Sequence, residues 1–285
     1  MSISEAGSLG NTSTALAMRW HQNMAAASFK GQGAAFWDTW VHSLPPKQDH
    51  SGYVEEVLHR INCSQDDTVL DIGAGTGVLS LPLAKCARQV TALDHSHAML
   101  ETIAHSAATE RLNNIKLLHL DWTKAKLGID FDQHDIVIAS RSLPADNDIL
   151  RCLDLINRTA RRTCYITWKA NGHNPLEEAL CTRLNIPYHP FPDYTVLCDI
   201  ITSLGIMPSV EIFSIGGKRI YGNLEQAYIQ IVRGRTTDEA EKQLSLEFLA
   251  ANLECEDGLY TQPLETNWAL ISWSCSQNNF VYTLE

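Results

Sequence analysis

Nine residues constrain the fold of this chain most: Val69-Leu70-Asp71-Ile72-Gly73-Ala74-Gly75-Thr76-Gly77. Apolar residues around one acid read as a strand buried on both faces, because a strand covered by helices shows a near-continuous apolar run. Gly73, Gly75 and Gly77 then remove side chains where the backbone turns sharply and a ligand could approach the main chain. A helix predicted over residues 78–87 would aim free N–H groups at that ligand. A glycine turn between strand and helix points to nucleotide binding without saying which nucleotide.

The rest of the chain repeats the strand–helix alternation. Residues 51–62 predict an amphipathic helix, with Tyr53, Val54, Val57, Leu58 and Ile61 on one face. Predicted strands follow at 89–93, ending at Asp94; at 115–120, ending at Asp121-Trp122; at 134–139, ending at Ser140-Arg141; and at 163–168, ending at Lys169. Ser96 reads as the N-cap of a helix that turns Met99, Leu100 and Ile103 inward, and 146–161 reads as another helix. Further strands are predicted at 209–214 and 267–273. Between them lie two helices, the second opened by Thr236 and Glu239 as a capping box. The expected fold is therefore α/β: a doubly wound, seven-stranded, mostly parallel sheet with helices on both faces, an N-terminal helical arm and a small helical insertion, about 217–262, before the last strand. Residues 1–50 form the arm and 51–285 one domain. Residues 1–14, rich in Ser, Gly and Thr, read as disordered or tied down only by a partner. The aromatic stretch beyond them (Trp20, Phe29, Phe36, Trp37, Trp40) reads either as a packed arm or as a lid, and Leu44-Pro45-Pro46 breaks the chain after it.

Composition narrows the partners. With 285 residues, 45% of them apolar, the chain can bury a substantial core. A net charge of −11 argues against a phosphate backbone as partner, since such binding rests on clustered Lys and Arg. The eight cysteines are scattered without a CxxC pair, as expected for reduced thiols of a cytoplasmic protein, and no metal site is expected. No apolar run reaches the ~18 residues of a membrane span. The expectation is a cytoplasmic protein with no nucleic-acid partner and no membrane partner, monomeric or homodimeric.

A dinucleotide site would want G-x-G-x-x-G with an acid near the second strand. Here the spacing is G-x-G-x-G, with Asp71 just ahead of it. Val69 to Gly77 resembles the first motif of class I S-adenosylmethionine-dependent methyltransferases. The resemblance continues in order at Asp94 and at Asp121-Trp122, and spans about 54–168. It implies S-adenosylmethionine as cofactor and S-adenosylhomocysteine as product. It also implies roles for each element. Asp71 would lie near the cationic ammonium and sulfonium end. The backbone of Gly73, Ala74, Gly75 and Gly77 would hold the methionine portion, with Ala139 beside it. Asp94 would accept from the ribose hydroxyls. Asp121 and Trp122 would reach the adenine edge, and His95 and Met99 its face. The segments 135–143, 165–167 and 268–273 look similar to a group of uncharacterised prokaryotic methyltransferases, which supplies no substrate. Two readings outside this one are a methyltransferase-like binding or scaffold protein without catalysis, and a nicotinamide-dependent oxidoreductase, whose glycine spacing differs.

Methyl transfer needs mainly a well-placed acceptor and the exclusion of water. In the superfamily, acceptor chemistry is often decided just after the fourth strand, where enzymes acting on exocyclic or amide nitrogens carry Asn/Asp-Pro-Pro-Tyr/Phe. This chain has Ala139-Ser140-Arg141-Ser142-Leu143 instead, so a small-molecule acceptor is expected. Arg141 could pair with a carboxylate or phosphate of that acceptor, or bond backbone carbonyls or Asp146. Arg141 and His173 are the candidate catalytic residues, with His189 as a further candidate base and His21 and Trp37 as pocket-lining residues.

Overall fold

The computed structural model describes residues 3–27, 33–41, 51–143, 148–232 and 238–275. The chain runs α1 (Ile3–Ala26), α2 (Ala34–Trp40), α3 (Ser51–Arg60), β1 (Thr68–Ile72), α4 (Ser80–Leu83), β2 (Gln89–Asp94), α5 (His97–Glu110), β3 (Ile115–His119), β4 (His134–Ser140) and α6 (Ile149–Thr159). It continues with β5 (Ala160–Lys169), α7 (Pro175–Arg183), α8 (Tyr194–Ser203), β6 (Ser209–Tyr221), α9 (Leu224–Val232), α10 (Glu239–Asn252), β7 (Glu254–Glu256) and β8 (Leu259–Ser274). The Leu44-Pro45-Pro46 break, Phe29, Asp146 and Thr236 lie outside the described residues.

Seven strands form one sheet in the order β3-β2-β1-β4-β5-β8-β6, and the short β7 pairs with β8 beside that path. β1 pairs in parallel with β2 and β4, β3 with β2, and β5 with β4, while β8 runs antiparallel to β5 and β6. The mostly parallel doubly wound sheet expected from the alternation is thus present. Strand alternation sorts its side chains into two cores. Leu70, Ile72, Val137, Ala139, Ile166, Ala269 and Ile271 join one core together with residues of α1, α6 and α8. Val69, Ile136, Ile138, Tyr165 and Leu270 join the other, with Tyr53 and Val57 of α3, Ile61 just beyond it and Leu83 of α4. β1 is buried at all five positions, as a central parallel strand should be.

Several boundaries differ from the sequence reading. Residues 3–14 are helical, continuous with the rest of α1, and Ser13 Oγ donates to the Ser203 carbonyl at 3.1 Å. The helix after the glycine turn is only Ser80–Leu83, shorter than 78–87. Gly77 has φ +84°, outside helical geometry, and Pro82 withholds one N–H from the helical ladder. α10 is capped by Asp238, whose side chain accepts from Glu241 N at 2.7 Å. The insertion proper is α9 and α10. Its predicted flanks are strand, because β6 and β8 pair continuously from Ser209–Ser272 to Tyr221–Tyr260.

The arm divides in two. α1 belongs to the core: Trp20 and Met24 are fully buried, and the Trp20 ring lies 4.9 Å from that of Trp168 at the end of β5. α2 instead docks on the start of α5, where Asp38 Oδ1 accepts from Ser96 Oγ at 2.6 Å and from Ala98 N at 3.3 Å. The packed-arm reading fits α1, and α2 lies against the strand-end side.

Candidate active site

Parallel strands of an open sheet end together, so their carboxyl ends bring sequence-distant residues to one crevice. The glycine turn leaves β1 here with positive φ at Gly73, Gly75 and Gly77 (+68°, +56° and +84°), where L side chains are strained. Gly73 N and Ala74 N both donate to the Leu93 carbonyl, at 2.8 and 2.9 Å, which ties the turn to β2. A Cβ on Gly73 would meet Ser142 Cβ at 2.4 Å, whereas one on Gly75 would meet nothing within 4 Å. The loop after β4 is therefore packed on the turn at Gly73, and open space remains above Gly75.

Two acids flank this turn. Asp94, at the end of β2, is held by two N–H donors: Gly75 N to Oδ2 at 2.8 Å and Ser96 N to Oδ1 at 2.9 Å. Each oxygen keeps lone-pair capacity for a further donor. Asp71 is 2% exposed, and its Oδ2 accepts from Ser80 Oγ at 2.6 Å. Burial pushes its carboxyl up to about 6; the Ser80 hydroxyl and the nearby Arg141 pull it down, and Asp94 pushes it further up.

The other sequence-predicted residues divide. Met99 and Ala139 are buried beneath the crevice, and Ala74 is buried within the turn. His95 follows Asp94, with its Nε2 buried and unpaired among the described residues, as is Ser142 Oγ. Asp121 caps its own turn, accepting from Thr123 N and Oγ1 and pairing with Lys124 at 2.7 Å; Trp122 is buried behind it. His173 bonds Glu178 through Nε2 at 2.8 Å and packs edge-on against Tyr188. Those contacts engage it at the start of α7, and none joins it to the glycine turn. His189 lines a separate cleft of about 310 Å³ beside Arg19, Phe191 and Asp193.

Arg141 departs most from an ordinary loop residue. Its φ is +57°, a conformation uncommon for a residue with a side chain. Its guanidinium carbon lies 4.5 Å from the centre of the Tyr53 ring and 5.9 Å from that of Trp268. Neither expected partner is seen: it makes no bond to a backbone carbonyl among the described residues, and Asp146 is not described. The sequence reading missed Tyr53, Thr167 and Trp268 as site residues. Tyr53 Oη lies 2.6 Å from Ser140 Oγ and 2.7 Å from Thr167 Oγ1, which join the ends of β4 and β5 to the start of α3. Its place on the apolar face of a helix read as core, and the polar tip was the only available signal.

Residues 69–162 match the family model described as a methyltransferase domain. They form a class I S-adenosylmethionine-dependent methyltransferase domain. An uncharacterised protein of Haemophilus influenzae is 26% identical over 227 residues, 79% of this chain and 82% of that one. A release factor glutamine methyltransferase of Xylella fastidiosa is 36% identical over 104 residues, only 34% of this chain and 38% of its own length. Among solved structures, a putative methyltransferase of Bacillus halodurans aligns with 79% of this chain and 99% of its own, at TM-score 0.53 and 11% identity, which is a likeness of fold. Over residues 69–162 the chain carries a methyltransferase domain. The site fits its cofactor: there is open space over Gly75, a doubly held carboxylate at Asp94, and buried polar atoms of His95 and Ser142 that lack partners among the described residues.

The expectation of a small-molecule acceptor with no nucleic acid is corrected by these relatives. Besides the release factor enzyme, ribosomal RNA methyltransferases of Methanosphaera stadtmanae and Bacillus anthracis match this chain over a quarter to a third of it. The physical reason is that a net charge summed over the whole surface says nothing about the acceptor at one crevice. Among the described residues no helix is long and apolar enough to cross a membrane, and no cluster of His, Cys, Asp and Glu could hold a metal. All eight cysteines are free thiols.

Proposed function

We propose that this methyltransferase acts on an acceptor bearing an anionic group, a carboxylate or phosphate, that Arg141 engages. The observation that carries this reading is the guanidinium itself. It is exposed, stacked on Tyr53 and Trp268, unbonded to any acceptor among the described residues, and followed directly by the residue packed on Gly73. A guanidinium held over aromatic rings keeps its planar N–H fork able to bind two oxygens at once.

Bound in this crevice, S-adenosylmethionine supplies an electrophilic methyl on a cationic sulfur. The backbone of Gly73, Ala74, Gly75 and Gly77 would hold its amino-acid portion, and Asp94 would take the ribose hydroxyls. Asp71 would offset the positive charge. His95 and Met99 would flank the adenine; Asp121 serves that edge only by giving up part of its own turn. Arg141 would orient the acceptor, which is where proximity contributes most to such a displacement, up to ~7–11 kcal/mol in well-oriented systems. His173 has no part in this reading, because Glu178 and Tyr188 already engage it.

The test is methyl transfer from radiolabelled S-adenosylmethionine to acceptor sets that include carboxylates, phosphate esters, ribosomal RNA and release-factor peptide. The expected result is label in an anionic acceptor, lost at least about tenfold in Arg141→Ala and partly kept in Arg141→Lys, as for removal of a charge-assisted contact. Equal turnover in Arg141→Ala would contradict the reading.

A further inference from the structure

We infer that Tyr53 is a positioning residue for Arg141, its ring a platform fixed at both ends that aims the guanidinium at the acceptor. The inference rests on the reading of Arg141 as the anion-binding group.

Strand alternation sets Asp71, Ser140, Thr167 and Trp268 on the face of the sheet that α3 covers; Ser140 pairs directly with Thr167, and Asp71 and Trp268 lie two residues off that register on β1 and β8. Tyr53, in the first turn of α3, lies over this row. Its hydroxyl is 2.6 Å from Ser140 Oγ and 2.7 Å from Thr167 Oγ1, and Thr167 Oγ1 donates to Ser140 Oγ at 3.2 Å. Three hydroxyls in a closed triangle can each donate once and accept once, so all three are satisfied with no proton left over. A satisfied, buried hydroxyl is a fastening, and general-base chemistry would require it to break out of the triangle.

The other end of the ring is fixed by packing. The Tyr53 ring centre lies 5.3 Å from that of Trp268, at 66°, and 6.2 Å from that of Phe213. What remains is the ring face under Arg141 Cζ at 4.5 Å. Arg141 is itself held in a left-handed backbone conformation, one that survives only where surroundings over-determine it. A planar cation held over neighbouring aromatic rings loses little entropy when it binds a planar or tetrahedral anion, because its fork is already oriented.

The readout is phenylglyoxal modification of Arg141, followed by mass spectrometry of the peptide that contains it. Inorganic phosphate and acetate serve as protecting anions, with S-adenosylhomocysteine present. In the unmodified sequence both anions are expected to protect Arg141. Tyr53→Phe keeps the ring but removes the fastening, and should need about twofold more anion for half-protection. Tyr53→Leu removes the platform and should need about fivefold more, the weight of a cation–π contact at an exposed site. S-adenosylhomocysteine affinity, measured alongside, should stay unchanged in Tyr53→Phe, which a general loss of structure would not allow. If Tyr53→Leu fails to fold, Tyr53→Phe decides. Protection in the unmodified sequence with the same midpoint in the variants would overturn the role of Tyr53 and leave the anion reading standing. Absence of protection in the unmodified sequence would overturn the anion reading and the inference with it.

Discussion

Asp71 carries a charge that burial disfavours and that the Ser80 hydroxyl and the nearby Arg141 offset only in part. Its carboxyl is pushed up to about 6 from the ordinary 3.8, first of all by desolvation. The sign follows from linkage: the folded state holds the proton more tightly than the unfolded chain, so the contribution of Asp71 to stability falls as pH rises from about 4 to about 6 and is level above that. Urea unfolding across this window should show the stability of the native sequence declining relative to Asp71→Asn, which never ionises. A constant difference between the two would show that Asp71 has an ordinary acidity. The same group was legible in the sequence as an acid ahead of a glycine turn. Its raised acidity constant was not, because that depends on what covers it. Arg141 shows the same limit. The sequence marked it as the departure after β4, but its aromatic platform joins residues 87 and 114 positions apart through hydroxyls that look unremarkable in their local context.

At the level of elements, the N-terminal arm is two devices. α1 fills the core through Trp20, whose indole N–H is buried without a partner among the described residues. Trp20→Ala should cost ~3–5 kcal/mol in denaturant unfolding, as for other large buried aromatics. α2 is fastened to the α5 N-terminus by Asp38, and its Ser96 partner also donates from its backbone N–H to Asp94. Asp38→Ala should therefore leave unfolding nearly unchanged yet weaken S-adenosylhomocysteine binding several-fold and speed hydrogen exchange in α2. A stability loss like that of Trp20→Ala, with binding intact, would assign α2 to the core as well. The sequence could not separate these roles, since Trp20 of α1 and Phe36, Trp37 and Trp40 of α2 fall in one stretch ahead of the first strand. What distinguishes them is whether the partner is the sheet face or the strand-end crevice.

Across the whole molecule, the elements easiest to read were those the sheet buries on both faces. β1 is a mostly apolar run that ends at the glycine turn and β4 one that ends at Ser140, because helices cover both sides and ligands meet the ends of such strands. The long β6–β8 ribbon was legible only in its inner half. Beyond Ser214 it carries Gly216, Gly217 and, on the opposite strand, Pro263, which read as turn residues, while its pairing is formed by residues far apart in sequence. The cofactor class was legible because four short signals occur in order at strand ends. The acceptor was not, because a methyltransferase core is shared by enzymes whose acceptors differ in size and charge. The central claim, a cofactor crevice built on the glycine turn and Asp94, is tested most directly by calorimetric titration of S-adenosylhomocysteine into the native sequence and into Asp94→Asn. The expected result is binding of about one equivalent to the native sequence and affinity at least about tenfold weaker in the variant, the loss of charge-assisted hydrogen bonds. No heat with either S-adenosylhomocysteine or S-adenosylmethionine, or equal affinity in the two proteins, would contradict it.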